Sequence, residues 1–196
     1  MAAKNKITRR LPVIPDDKLT PRQIEVMEAI KSGPRGKVSQ NGPFGIYLYS
    51  PEIGDLIQGL GAHCRHQTSL APRLSEFAIL CTARQWRAPY EWHVHAPIAE
   101  QAGVKPQTIR DVRAGRAPKT AKKDERAIFD LVQELYKTRR VSDRTYKRVH
   151  ALLGDAGMVD FVGILGYYGL VAMMLDVFQA MPPEDAPQYF KEPGKR

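Results

Sequence analysis

Apolar residues recur at three- and four-residue spacing along most of this chain, a pattern that predicts α-helices. The clearest example runs from Asp124 to Arg140, where one face carries Ile128, Leu131, Val132 and Leu135. Other helical segments begin at residue pairs that favour a helix N-terminus, namely Thr20-Pro21, Ser50-Pro51, Lys105-Pro106 and Ser142-Asp143. The sequence therefore predicts an all-α fold, a helical bundle.

Three segments need a separate interpretation. Residues 44–49 form a short apolar run that could be a strand in isolation. In the helix after Ser50, one possible buried stripe consists of Leu56, Leu60 and Cys64. Residues 158–181 are nearly all apolar, but the longest uncharged run is only fifteen residues, against the about 20 of a membrane span. We therefore expect this last helix to be buried in the protein and expect no membrane contact.

Length and charge limit the organisation and the class of protein. The 196 residues suffice for a single domain, which we assign to residues 20–181, with an extended arm at residues 1–19 and a tail at residues 182–196. The net charge of +9 is dispersed along the chain, so we do not expect nucleic-acid binding. Two isolated cysteines indicate a reducing compartment, and no signal peptide is visible, so we expect a cytoplasmic protein.

The segment from Arg73 to Gly103 gathers ionisable side chains among small and apolar residues. Burying a lone charge is costly, so such groups must be exposed or partnered, or they belong to a site. A break at residues 87–89 separates two predicted helices. Four residues separate Glu91 and His95, which places them on one face of the second helix, whereas His93 points elsewhere. Glu76 on the first helix could complete an acid–base group across the contact between the helices.

These residues resemble the carboxymuconolactone decarboxylase and alkylhydroperoxidase D-like proteins, which carry a Glu, then C-x-x-C, then a His four residues beyond the second Cys. Glu76 and His95 match the family Glu and His, and Ala88 and Glu91 stand at the two Cys positions. The Y-E-W-x-x-H pattern at residues 90–95 is similar to that of a cysteine-free branch. The resemblance covers about residues 40–180 and is also carried by Asn41-Gly42-Pro43-Phe44 and Gly166-Tyr167-Tyr168.

The resemblance implies a helical bundle of the alkylhydroperoxidase D-like type that forms homo-oligomers. It also implies a lyase of aromatic compound catabolism, or a related isomerase. We expect acid–base chemistry on a small unsaturated organic acid or lactone, without a metal or an organic cofactor. His95 would be the general acid or base, and Glu91 or Glu76 its orienting carboxylate. Arg84 would anchor the substrate carboxylate, although a structural Glu76–Arg84 ion pair is an equal alternative.

Aromatic and histidine side chains are the other binding candidates. Tyr90, Trp92 and His63 would contact the substrate, while the alternative for the aromatic residues is plain core packing. His63/His66 and His93/His95 are near pairs in sequence. Because His93 and His95 lie on different sides of a helix, we expect no metal site.

Two other classes of function compete with the enzyme hypothesis. A peroxidase of the same fold would need a reactive thiolate, but Cys81 lies on an apolar stripe, where Cys is usually inert. A non-catalytic interaction protein would not depend on His95. Glycines at positions 163, 166 and 169 predict close backbone approach, either within the chain or between subunits.

Overall fold

The structure is a computed structural model that describes residues 9–190. Within this range the regular elements are all helical, so the all-α prediction is confirmed. After a short 3₁₀ turn at Asp16–Lys18, the helices are α1 (Pro21–Ser32), α2 (Pro43–Tyr47), α3 (Pro51–His66), α4 (Pro72–Trp86), α5 (Pro89–Gln101), α6 (Pro106–Arg113), α7 (Lys123–Thr138) and α8 (Asp143–Val177).

Proline occupies the first position of six consecutive helices, α1 to α6. The first residues of a helix have no intrahelical partner for their N–H groups, so the missing proton of proline costs nothing there, and its fixed φ suits the helix. At α1, the side chains of Thr20 and Gln23 also accept hydrogen bonds from each other's backbone N–H in a capping box. These local signals explain why the predicted starts at Thr20-Pro21, Ser50-Pro51 and Lys105-Pro106 agree with the structure.

Helix α4 lies at the centre of the bundle and packs against α5, α7 and α8. Residues 74–83 of α4 are buried without interruption. Its N-terminal end is tied to α7 by Arg73, which pairs with Asp124 and, over 2.6 Å, with the buried carboxylate of Glu125. This helix therefore provides the fixed support on which the candidate site is built.

Helix α8 contains one non-helical residue, Gly154, with φ 67° and ψ −176°. Gly154 therefore separates the helix predicted to begin at Ser142-Asp143 from the apolar helix predicted over residues 158–181. Within residues 9–190, α8 is the helix that is long and apolar enough to cross a membrane, but 56% of its most apolar 18-residue stretch is buried inside the protein. A core helix passes the same test of length and composition.

Two possibilities raised by the sequence, a strand at residues 44–49 and a buried stripe through Leu56 and Leu60, are not found in the structure. Residues 44–49 do not form a strand, because Pro43 begins the short helix α2. Leu56 and Leu60 on α3 are 75% and 48% exposed, and the buried face of that helix carries Gly54, Ile57, Gly61 and Cys64. Two of the four are glycines, which allow other parts of the chain to approach α3 closely.

The ends of the described chain are held against the bundle. Arg9 Nη1 donates to the carbonyls of Gln40 and Asn41, each at 2.8 Å. Arg10 donates through its backbone N–H to the Phe178 carbonyl at 2.9 Å. Near the other end, the Phe190 ring packs edge-on against Trp92 at 5.5 Å between centroids. The rest of the predicted arm, residues 1–8, and of the predicted tail, residues 191–196, lies outside the described residues.

Candidate active site

Glu76 from α4 and His95 from α5 form a buried pair. The distance between His95 Nδ1 and Glu76 Oε2 is 2.7 Å, and each residue is 5% exposed. An ionised carboxylate can only accept hydrogen bonds, so with Glu76 ionised the contact requires a proton on His95 Nδ1, and in the neutral imidazole Nε2 is then the acceptor. Of the two candidate orienting carboxylates, the structure therefore brings Glu76 to His95.

Glu91 has a different environment. It is 2% exposed, and neither of its carboxyl oxygens has a hydrogen-bond partner among the described residues. Burial raises the pKa of Glu91 well above its ordinary value, because the ionised form would lose its hydration. Burial therefore favours the neutral carboxylic acid, which can donate a proton. It stands at one of the two positions where the resembled family carries cysteine.

A cavity of about 110 Å³ brings Glu91 and His95 together. Its wall includes Tyr90 from α5 and Tyr167 and Tyr168 from α8. The rings of Tyr168 and His95 meet edge to face at 4.9 Å between centroids, and this contact restricts rotation of the imidazole ring. Burial also raises the pKa of Tyr167 and of Tyr168, so both phenols stay protonated.

Two arginines that the sequence did not single out also line the cavity. Arg65 on α3 places Nε 3.9 Å from Glu76 Oε1, the other oxygen of the carboxylate that holds His95. Arg35 comes from the loop between α1 and α2, donates from Nη2 to the Gln58 carbonyl at 2.9 Å, and lies over the Phe44 ring. The only sequence signal for Arg35 was its position in a long Gly- and Pro-containing loop, a type of segment that often carries function.

Of the predicted substrate-binding residues, Tyr90 lines this cavity, whereas Arg84, Trp92 and His63 do not. Arg84 lies next to Gly115 and 5.9 Å from the centre of the Phe190 ring, so it is not placed to anchor a carboxylate beside His95. The cation near Glu76 is Arg65, not Arg84. Trp92 is 1% exposed and belongs to the core.

Histidine side chains outside the pair face other surroundings. His63 Nε2 lies 3.6 Å from Asp160 Oδ1 at a half-exposed position, so His63 is not a wall of the cavity. His93 forms a 2.8 Å hydrogen bond with the Tyr189 hydroxyl, on another side of α5 from His95. In the described part of the chain, no group of three or more His, Cys, Asp or Glu side chains is arranged to hold a metal ion.

Both cysteines are free and buried. Burial is the main cause that raises the pKa of Cys64 and of Cys81, so both are held as thiols. Neither lines the cavity. The site therefore brings together proton-transferring groups, without a thiolate at the positions that face His95.

The fold has a known counterpart. The structure is similar to the crystal structure of an uncharacterised peroxidase-related protein from Ralstonia eutropha JMP134, described as an alkylhydroperoxidase AhpD core. The TM-score is 0.73 at 16% sequence identity, over 92% of this chain and 94% of that chain. The protein therefore has the helical AhpD-type fold. A comparison of the sequence with curated proteins gave no match.

The sequence of the central helices supports the same resemblance. Residues 51–134 match the model of the carboxymuconolactone decarboxylase family, and Glu76, Glu91 and His95 all lie in this segment. This match and the similar fold confirm the resemblance to the carboxymuconolactone decarboxylase and AhpD-like proteins. Family and fold do not distinguish a decarboxylase from a peroxidase, so the reaction has to follow from the residues of the site.

Proposed function

We propose that this protein is a cofactor-free lyase or isomerase that acts on a small unsaturated organic acid or lactone. The observation that carries the proposal is the pairing, in one cavity, of a neutral carboxylic acid with a histidine oriented by a second carboxylate. Such a pair provides a proton donor and a proton acceptor at the same pH, which is the requirement for general acid–base catalysis.

In a decarboxylation, the bond between the carboxylate carbon and its neighbour breaks and carbon dioxide leaves. The electron pair moves into the conjugated double bond or the lactone carbonyl, and a carbon of that system then takes a proton. Glu91 is the donor in this proposal, because its carboxyl group is part of the cavity wall and its burial favours the protonated form. His95 then takes a proton from water, Glu76 stabilises the imidazolium that forms, and the imidazolium returns the proton to Glu91.

An isomerisation would use the same groups but consumes no net proton. His95 Nε2 removes a proton next to the carboxylate or carbonyl group, Glu91 donates a proton at the other end of the unsaturated system, and transfer of a proton from the imidazolium to the Glu91 carboxylate restores both groups. Decarboxylation instead breaks a carbon–carbon bond and takes one proton from water, so the substrate decides between the two reactions. Apolar and aromatic residues make up much of the cavity wall and suit an unsaturated carbon skeleton.

Thiol peroxidase activity is the competing function, and it is favoured by the similarity to a crystal structure described as peroxidase-related. Peroxide reduction by a protein thiol begins with a thiolate, which must reach the peroxide. Cys64 and Cys81 are both buried, and burial favours their thiol forms. We therefore rank this function below acid–base chemistry.

The test is proton exchange in deuterated water with a panel of unsaturated carboxylic acids and carboxylated lactones, followed by NMR, together with detection of released carbon dioxide. We expect turnover of one of these compounds, and a loss of about 10²–10⁴-fold in the His95→Gln variant, the usual contribution of a general acid or base. Glu76→Gln should also lower the rate, because the imidazolium would lose its counter-charge.

His93→Gln is the matched control, since His93 lies two residues away but forms its hydrogen bond with Tyr189 outside the cavity. This variant should keep the turnover of the unchanged protein. Equal rates for His95→Gln and the unchanged protein would remove the assigned chemistry.

A further inference from the structure

Gly61 on α3 marks a point where two polar side chains converge. A Cβ atom at this position would collide with the Tyr167 hydroxyl and with Arg35 Nη2. The absence of a side chain at Gly61 therefore lets a guanidinium from the loop and a phenol from α8 meet on the surface of α3. Gly61, Arg35 and Tyr167 all line the cavity, as does Arg65, one helical turn beyond Gly61.

We propose that Arg35, Arg65 and Tyr167 form an anion subsite that binds the carboxylate of the substrate, and that the substrate is an unsaturated monocarboxylate. The substrate class rests on the acid–base function proposed above, whereas the subsite rests on the geometry around Gly61. Arginine guanidinium groups match a carboxylate through paired N–H donors, and a phenol hydroxyl can add one more.

Arg35, in the loop between α1 and α2, has N–H donors left to bind a carboxylate. Among residues 9–190, the contacts of Arg35 are the Gln58 carbonyl, the Phe44 ring and the nearby Tyr167 hydroxyl, and no carboxylate forms an ion pair with it. A guanidinium has five N–H donors, so most of its hydrogen-bonding capacity is unused by these contacts. An anion in the cavity would provide the missing counter-charge.

The second arginine connects the subsite to the proton-transferring residues. Arg65 Nε lies 3.9 Å from one Glu76 oxygen, and the other Glu76 oxygen lies 2.7 Å from His95 Nδ1. A carboxylate held between Arg35 and Arg65 would therefore be separated from the Glu76–His95 pair only by the side chain of Arg65. Helix α5 provides Glu91 and His95 as another wall of the same cavity, where the unsaturated carbons would be placed.

The charges around the cavity favour one negative charge on the ligand. Arg35 and Arg65 contribute two positive charges, the Glu76 carboxylate contributes one negative charge, and burial favours the uncharged form of Glu91. One positive charge remains uncompensated. A neutral ligand would leave it so, and a second carboxylate would lose its hydration in an apolar cavity without a cation to pair with.

The experiment measures binding of three six-carbon probes by isothermal titration calorimetry: sorbate, its neutral amide sorbamide, and trans,trans-muconate with two carboxylates. We expect sorbate to bind best, with sorbamide and muconate each about tenfold weaker or more, since a hydrogen-bonded charge contributes about 1.5–3 kcal/mol and tenfold corresponds to about 1.4 kcal/mol. Arg35→Gln should weaken sorbate by about tenfold to a hundredfold and leave sorbamide unchanged.

Two variants with matched controls separate the subsite from general effects. Arg110→Gln removes the same charge from an exposed position on α6, so it should leave the sorbate affinity unchanged. Gly61→Ala should abolish the preference for sorbate without removing a charge, because the new Cβ displaces both Arg35 and Tyr167. Gly59→Ala adds the same methyl group where nothing lies within 4 Å, and it should bind sorbate normally. Circular dichroism establishes that each variant is folded, and Arg35→Gln decides the question if Gly61→Ala is not.

Three results would overturn the subsite: no sorbate binding by the unchanged protein, equal binding of sorbate and sorbamide, or equal effects of Arg35→Gln and Arg110→Gln. Any of these, combined with turnover that still needs His95, would leave the acid–base function intact. Sorbate binding that needs Arg35, in a protein whose proton exchange ignores His95, would support the subsite and refute the function instead.

Discussion

Replacing Glu91 by Gln tests whether a neutral acid is present in the cavity. Glu91 is 2% exposed and has no hydrogen-bond partner among the described residues, so burial raises its pKa in the folded protein. In the unfolded chain the same carboxyl group ionises near its ordinary value of about 4.3. The folded state therefore binds this proton more tightly than the unfolded state does, and stability becomes linked to pH.

The sign of the link follows from the proton count. Above about pH 5 the unfolded chain has released the proton and the folded protein keeps it, so raising the pH favours unfolding by about 1.4 kcal/mol per pH unit until the folded Glu91 itself ionises. Gln is close to Glu in shape and does not titrate. The stability of Glu91→Gln relative to the unchanged protein should therefore rise by about 1.4 kcal/mol between pH 5 and pH 6.

Urea unfolding followed by far-ultraviolet circular dichroism at pH 5, 6 and 7 measures this difference. All other titrating groups are present in both proteins, so their contributions cancel in the difference between the two free energies of unfolding. The cost of burying the Gln amide does not depend on pH, so it changes the size of this difference but not its slope against pH. Glu100→Gln, on the exposed side of the same helix, is the control and should give a difference that does not change with pH. A constant difference for Glu91→Gln as well would mean that folded Glu91 is ionised, and the proposed proton donor would be lost.

The remaining predictions concern the thiols and the assembly. A Cys64→Ser/Cys81→Ser double variant should consume peroxide no more slowly than the unchanged protein, because both thiols are buried and their pKa values are raised; a rate that falls with the cysteines would favour the peroxidase. We also propose that the protein forms homo-oligomers. Large apolar side chains stay exposed in the single chain, and on α3 and α8 they include Ile53, Leu56, Leu60, Val159 and Val162. Light scattering that finds only monomers at micromolar concentration would contradict the proposed oligomer.

The glycines of α8 bear on the same question. A Cβ at Gly163 or Gly169 would meet atoms of this chain, Cys64 Sγ at 3.9 Å and Trp86 Nε1 at 3.4 Å, whereas one at Gly166 would meet nothing within 4 Å. These neighbours are side-chain atoms at ordinary van der Waals distance, so within residues 9–190 no other backbone segment approaches the three glycines closely. Close backbone approach between subunits stays a prediction.

Local signals in the sequence were sufficient for the helices and for part of the site. The break at residues 87–89 was predictable because Pro89 is tolerated at the start of a helix and not in its middle. The sequence left either Glu91 or Glu76 as the carboxylate that orients His95, and the structure brings Glu76 to His95 across the packed pair α4 and α5. These features depend on residues close in sequence or on a known pattern.

Other features depend on long-range packing and could not be predicted. Arg35 reaches the cavity because its loop folds back over α3, a path that no local pattern specifies. The buried face of α3 was misassigned because the large residues Leu56 and Leu60 satisfied helical spacing, while the true face contains Gly54 and Gly61. Small residues carry little hydrophobic signal even where close packing buries them.

The segment that matches the family ends before α8 and begins after the loop. Glu76, Glu91, His95 and Arg65 lie inside it, but Arg35 and Tyr167 lie outside. In the proposed function, the residues that transfer protons and part of the subsite that binds the carboxylate are thus encoded in separate stretches of the sequence. On that proposal, changes at residues 33–42 or in the last long helix would alter which acid is bound and leave the acid–base chemistry in place.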